Sequence, residues 1–234
     1  MQIFYSEDIS DGTARFSREE SGHCLRVLRM RKGETLTFTD GKGHLYEGII
    51  RDDDPGGMTA SVTSVSEDPS GRNYSLHVAI SPLKNDDRLE WFIEKAVENG
   101  IDVITPLLCN RSEKKRIMRG RLEGIMLSAM KQSGRCLLPR LDEPVAISDF
   151  LAGLSAGRKL IDTCDISFDR ISITETFRRG EDVTILIGPE GDFTPDEVRA
   201  AITTGCQPVH LGTARLRTET AGIAACCSVY LANI

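Results

Sequence analysis

ILIGPEGDFTPDE, residues 185–197, is an apolar run cut off by a Gly-Pro-Glu-Gly turn, with a helix start directly behind it. Val183 to Ile187 has the length and character of a strand buried on both faces. Gly188 and Gly191 allow the backbone to approach a neighbour or ligand where a side chain would clash. Thr194 then stands as N-cap, Pro195 at the first helical position and Glu197 three residues past the cap, which together make a capping box. The local prediction is strand, short stiff turn, helix. The turn matches neither the phosphate-binding G-x-x-x-x-G-K-[ST] pattern nor the dinucleotide G-x-G-x-x-G pattern. Glu190 and Asp192 would also repel a phosphate, so a neutral or cationic ligand suits it better. A Gly-Pro turn ahead of a capped helix can equally be pure architecture.

Two further strand-to-loop transitions flank this one: RKLIDTCD at 158–165 and QPVHLGTARLR at 207–217. Ligands in open α/β sheets gather at the carboxyl ends of strands, so the three loops could build one pocket. The last loop carries Arg215 and Arg217, and Thr218, Glu219 and Thr220 open a final helix. A helix cap with a surface Arg-Glu pair is the plainer account of those residues.

Upstream, DDRLEWFIEKAVENG (86–100) places Leu89, Phe92, Ile93, Ala96 and Val97 at amphipathic helix spacing, with Gly100 at the C-cap. RLEGIMLSAMKQSG (121–134) repeats the spacing through Leu122, Met126, Ala129 and Met130, and SLHVAISPL and IDVITPLL are strand candidates. Strands alternating with helices imply an α/β domain with a largely parallel sheet. Residues 1–72 differ. ETLTFTD and HLYEGII alternate around the turn signals DGKG and DDDPGG, as in small antiparallel barrels or meanders, and EDPSGRN (67–73) reads as a linker.

The 234 residues carry a formal net charge of −6, with 40% hydrophobic and 27% charged residues, an ordinary globular composition. No run is long enough to span a membrane and MQIFYSEDIS has no signal-peptide character, so a cytoplasmic protein is expected. The seven cysteines are irregularly spaced without a C-x-x-C pair, which points to buried small side chains and no metal. The acidic balance argues against nonspecific nucleic-acid coating, yet two basic patches exist. RVLRMRK (26–32) holds four basic residues, and RSEKKRIMRGR (111–121) holds six against Glu113. Solvated faces are an alternative account of both.

Several motifs together resemble a known family. IGPEGDFTPDE and LGTARLRTETA are similar to the paired signature of SPOUT-class RNA methyltransferases, specifically the RsmE-type 16S ribosomal RNA (uracil-1498-N3)-methyltransferases. HCLRVLRMRKGE (23–34), KNDDRLEWFIEKAVENGID, PLLCNRSE and QSGRCLLP resemble the family's other blocks, in order, over nearly the whole chain. The resemblance implies a PUA-like RNA-binding β-barrel at 1–72 and an α/β SPOUT methyltransferase domain at 73–234, the latter tied in a deep trefoil knot. It implies a homodimer, S-adenosylmethionine as methyl donor, and uridine N3 of 16S rRNA in the small ribosomal subunit as acceptor, hence a role in rRNA processing and ribosome biogenesis. Two positions depart from the family pattern: Asp192 stands where a second glycine is usual, and in Leu211-Gly212-Thr213-Ala214-Arg215-Leu216-Arg217 the first arginine is displaced by one residue.

On this reading the cofactor is expected at Thr163, Ile187, Gly188, Pro189, Glu190, Gly191, Leu211, Gly212, Leu216 and Arg217, largely through backbone groups, with Leu211 and Leu216 sandwiching the adenine. Arg217 is the expected catalytic residue, stabilising charge on the uracil oxygens as N3 loses its proton. Glu219 or Glu190 could orient that arginine or accept the proton, and the base is left unassigned because an ordinary carboxylate is too weak. His23, Arg26, Arg29, Arg31, Lys32, Arg111, Lys114 and Arg116 are the candidates for RNA contact. The alternatives are a methyltransferase of the same architecture with another RNA target, a noncatalytic RNA-binding assembly protein, and, more weakly, a metabolic nucleotide-binding enzyme.

Overall fold

The structure, a computed structural model, describes residues 2–154 and 156–234. The chain divides into two compact units, Met1–Gly71 with Leu127–Leu138, and Arg72–Met126 with Pro139–Ile234.

The first unit contains β1 (Ile3–Tyr5), β2 (Asp8–Ser10), β3 (Thr13–Arg15), α1 (Arg18–Gly22), a π-helical turn at His23–Val27, β4 (Thr35–Thr39), β5 (His44–Asp52) and β6 (Thr59–Glu67). Its six strands form one sheet in the order β1-β4-β5-β6-β3-β2. Alternation in β4 turns Leu36 and Phe38 inward, where they join Phe4, Phe16, Ile50 and Met58 in a buried core. Phe16 and Phe38 meet edge to face at 5.3 Å. The sheet is antiparallel as its alternation predicts, except for β1, which pairs parallel with β4. Residues 127–138 are fastened to this unit by backbone bonds: Gly43 N–H donates to the Cys136 carbonyl and Leu138 N–H to that of Gly41. The Thr39 hydroxyl adds a bond to the same Cys136 carbonyl, and Lys131 pairs with the buried Glu20.

The second unit contains β7 (Leu76–Ile80), α2 (Asp86–Glu98), β8 (Val103–Leu108), α3 (Arg119–Gln132, whose last turns belong to the first unit), β9 (Arg140–Leu141), β10 (Val145–Ala146), α4 (Ile147–Ala152), β11 (Arg158–Asp162), β12 (Ile171–Ser172), a 3-10 turn at Ile173–Glu175, β13 (Val183–Ile187), α5 (Pro195–Thr203), β14 (Gln207–His210) and α6 (Thr218–Asn233). The sheet order is β10-β8-β7-β13-β11-β14-β12, with β9 also beside β8, and all these pairs are parallel. β13 is the centre of the sheet. Leu186 faces one core with Ile161, Phe193, Val198 and Ala201, which brings in α5. On α2 the predicted stripe is the buried face, and α6 packs against α2, β7 and β13. Met126, Met130 and Cys226 are buried, as their small-residue or helical settings predict.

The strand order reverses around β11. The chain leaves β11, returns as β13 between β7 and β11, then crosses to β14 on the far side of β11. A reversal of this kind opens a crevice at the carboxyl ends of the strands. Among the described residues, no helix is long and apolar enough to cross a membrane.

Candidate active site

The crevice holds a cavity of about 340 Å³ whose walls come from all three loops: Asp162 and Cys164 after β11, Ile187 to Glu190 with Asp192 after β13, and Arg215 to Thr218 before α6. A wider, shallower depression beside it shares Cys164, Asp192 and Arg215 and adds Arg111, Arg170 and Gly212. The convergence expected from the sequence therefore exists.

The Gly-Pro-Glu-Gly turn is held from several directions. Ser81 N–H donates to the Ile187 carbonyl at 3.0 Å and Asp192 N–H closes the turn on the Pro189 carbonyl at 2.9 Å. The Arg111 guanidinium donates to the carbonyls of Gly191, at 2.7 Å, and Phe193, at 3.2 Å. A Cβ on Gly188 would stand 3.1 Å from the buried Phe193 ring, which explains the glycine. Behind the turn the capping box at Thr194 and Glu197 is complete, and the second Glu197 oxygen accepts from Asn110 N–H at 2.7 Å.

Asp192 accounts for its own departure from the glycine pattern. Its φ is 62°, the left-handed region that glycine enters freely and Asp enters more readily than most residues. Its carboxylate accepts from the Thr163 hydroxyl at 3.0 Å, from Cys164 N–H at 2.8 Å and from Phe193 N–H at 2.7 Å. A side chain thus ties the β13 loop to the β11 loop where a glycine could not.

Asp162 was not among the expected site residues. It ends β11 in register with Ile187 of β13 and Val209 of β14, so its carboxyl comes to the cavity wall. Burial, reinforced by the negative charge of Asp192 and opposed by Arg170, pushes its pKa up to about 7. The signal in the sequence was only "LID" at a strand end. Cys164 departs from the buried-cysteine reading: it is exposed, at the junction of both depressions.

Of the expected cofactor residues, Ile187, Gly188, Pro189, Glu190, Leu216 and Arg217 line the smaller cavity and Gly212 the wider one. Thr163 is buried and engaged with Asp192, Gly191 lies against Arg111, and Leu211 is half-buried off the wall. Arg217 is exposed at the N-cap of α6, where its carbonyl takes the first helical bond from Ala221. Glu219 is buried, 3.7 Å from Arg88, and its Oε2 has no hydrogen-bond partner.

The RNA candidates divide by their partners. Arg26, Arg29 and Lys32 are exposed around the end of the π-helical turn, with Arg29 at a φ of 61°. Arg31 is braced on the carbonyls of Leu25 and Met30, and His23 lies 3.4 Å from the Gln2 amide. In the second unit Arg116 is exposed, Lys114 is paired with Asp86, and Arg111 serves the turn described above.

Residues 70–230 match the family described as RNA methyltransferase domain. The chain belongs to that family. An RNA methyltransferase PUA domain matches residues 16–63 as well. Relatives of this RNA methyltransferase include the Ribosomal RNA small subunit methyltransferase E of Mycobacterium bovis, 28% identical over 95% of this chain and 88% of the relative. Among solved structures, a probable rRNA-methyltransferase from Porphyromonas gingivalis superposes with a TM-score of 0.94 at 38% identity, covering 100% of this chain and 98% of that one. A Ribosomal RNA small subunit methyltransferase E from Neisseria gonorrhoeae, bound to S-adenosyl methionine, superposes at 0.80 with 27% identity over 100% and 98% of the two chains.

Proposed function

We propose that this RNA methyltransferase transfers a methyl group from S-adenosylmethionine to uridine N3 of 16S rRNA in the small ribosomal subunit. The observation that carries the reading is the cavity to which all three strand-end loops contribute, lined by the carboxylates of Asp162, Glu190 and Asp192 and by the arginines Arg215 and Arg217. The donor set fits the cofactor: Glu190 and Asp192 favour a sulfonium cation, while Arg215 can pair with its carboxylate. When bound, S-adenosylmethionine supplies an electrophilic methyl group. The backbones of Ile187 to Glu190 and of Leu216 hold the cofactor, and the chain's work is alignment of nitrogen, carbon and sulfur. Arg217 then stabilises the charge that spreads onto the uracil oxygens as N3 gives up its proton. N3 lies on the pairing edge, so the target uridine must be unpaired or extruded.

The first unit, with Arg26, Arg29, Arg31 and Lys32, grips the RNA backbone, and residues 1–72 and 73–234 serve as RNA-binding and methyltransferase domains. The strand order around β11, and the packing of α6 against β7, β13 and the 173–175 turn, support a C-terminal segment threaded as a trefoil knot. The working form is a cytoplasmic homodimer. Primer extension across 16S rRNA in unmodified small subunits, incubated with protein and cofactor, tests the reading. A cofactor-dependent stop at one uridine is expected, because N3 methylation blocks pairing. Methyl incorporation without that stop would assign another target, and no incorporation would defeat the enzymatic reading. Arg217→Ala should abolish the stop while cofactor affinity stays within a few-fold.

A further inference from the structure

We infer that Asp162 is the catalytic residue that takes the proton from the acceptor nitrogen, with Asp192 as the positioning residue that prepares it. The inference rests on the methyl-transfer reading above. The acceptor nitrogen is a poor nucleophile while protonated, so the site needs a base on the cavity wall. Three carboxylates stand there, and Glu219, the other candidate, does not. Asp192 has its oxygens occupied by Thr163, Cys164 and Phe193. Glu190 is exposed at the rim, 3.5 Å from the Lys84 amide. Asp162 is half-buried at the end of β11, and among the described residues no donor is hydrogen-bonded to its carboxyl.

Two charges act on Asp162 directly, Asp192 from the β13 loop and Arg170 from the connection to β12, while Glu190, Arg215 and Arg217 share the cavity lining with it and the Cys164 thiol lies within its field. Burial and Asp192 together place its pKa at about 7, where a general base is most effective near neutral pH. The carboxylate of Asp162 removes the proton on N3 and the N–H bonding pair stays on nitrogen. Nitrogen then bonds to the methyl carbon as the carbon–sulfur bond breaks, its pair returning to sulfur. A carboxylate and a sulfonium both end neutral, which removes two opposite charges from a poorly solvated site. Water later takes the proton from Asp162.

Asp192 has a second effect besides tying the loops. Its charge, fixed beside Asp162, makes the free carboxyl more basic.

The test uses the full chain as wild type, Asp162→Asn, Asp162→Glu and Asp192→Asn. Carboxyl NMR titration of cofactor-free protein should show an aspartate with a midpoint near 7 that is missing in Asp162→Asn. Single-turnover methyl transfer to unmodified small subunits should rise with pH and level off above about 7. Asp162→Asn should lose at least about 100-fold, together with that pH limb, while calorimetric affinity for S-adenosylmethionine stays within a few-fold. Asp162→Glu should retain the limb, and Asp192→Asn should move it to lower pH. An Asp162→Asn enzyme that keeps the limb, or a rate loss matched by equal loss of cofactor affinity, would overturn the assignment. An active wild type with an unimpaired Asp162→Asn defeats this proposal alone; a wild type that binds cofactor yet methylates nothing defeats the methyl-transfer reading beneath it. Were Asp162→Asn to fail to fold, the NMR midpoint and the Asp192→Asn shift still decide, since an aspartate set free of titration near 7 contradicts the proposal.

Discussion

Gly222 sits in the second turn of α6 against α2, and replacing it by alanine sets two terms against each other. A helix interior gains about 1 kcal/mol when Gly becomes Ala. Against that, a Cβ at 222 would stand 2.5 Å and 2.8 Å from two carbons of the Phe92 ring and 3.1 Å from Ile80 Cδ1. Phe92 is fully buried and Ile80 nearly so, and neither can swing into solvent. Overpacking of this kind costs about 1–3 kcal/mol. An approach of 2.5 Å to a buried ring belongs at the upper end of that range, about 2–3 kcal/mol, so the steric term should win and leave Gly222→Ala destabilised by about 1–2 kcal/mol once the helix gain is subtracted. Gly124 on α3 is the matched control: it is exposed and an added Cβ would meet nothing within 4 Å, so Gly124→Ala should stabilise by about 0.5–1 kcal/mol. Urea unfolding followed by Trp91, the chain's one tryptophan and the neighbour of Phe92, reads the unit concerned. If Gly222→Ala proved as stable as the parent, the close approach of α6 to α2 would be wrong. Because α6 carries the Arg215–Thr218 wall at its N-terminus, the same variant should weaken cofactor binding.

Three further outcomes are expected. Asp192→Gly relaxes the left-handed backbone but removes three accepted hydrogen bonds, and at about 1 kcal/mol each the loss should dominate; hydrogen exchange at the Cys164 and Phe193 amides should accelerate at least about tenfold, and unchanged protection would refute the tie. Asp162 is a carboxyl whose folded pKa, about 7, lies above its ordinary 3.8, so between those values the folded chain holds a proton the unfolded chain lacks. Stability should therefore fall as pH rises from about 4 to 7, by up to about 4 kcal/mol; Asp162→Asn should escape that fall and be relatively more stable at pH 8 than at pH 4, and an equal gap at both would refute it. Cys164 is exposed at the cavity while the other described cysteines are buried or half-buried, so maleimide should label it first, S-adenosylmethionine should protect it, and Cys164→Ser should remove the fast phase.

What was legible in the sequence is what short-range chemistry determines. The capping box at Thr194 and Glu197, the apolar stripe of α2 and the left-handed Gly100, φ 79°, each follow from residues within one or two turns of each other. The strand-end loops were legible for the same reason, since each is an apolar run that stops. The parts that escaped depend on register between distant segments. Arg111 reads locally as one of a run of cations, yet its guanidinium is taken by carbonyls 80 and 82 residues away. Residues 127–132 continue the helical spacing of α3 without a break, and nothing in that spacing says that the helix changes partners midway. The two aspartates make the point most sharply. Asp192 could be noticed because a glycine was expected there, but its value lies in φ 62° and in three donors drawn from two loops. Asp162 offered no such cue. Its exposure to the cavity follows from parallel pairing with Ile187 and Val209, and a slip of one residue along β11 would turn its carboxyl to the other face of the sheet. Its raised pKa then comes first from burial and second from Asp192, and neither shares a local pattern with it. A substitution at 192 that kept the loop but not the charge would leave the fold in place and change the chemistry at 162, so the two positions must be varied together to separate architecture from proton transfer.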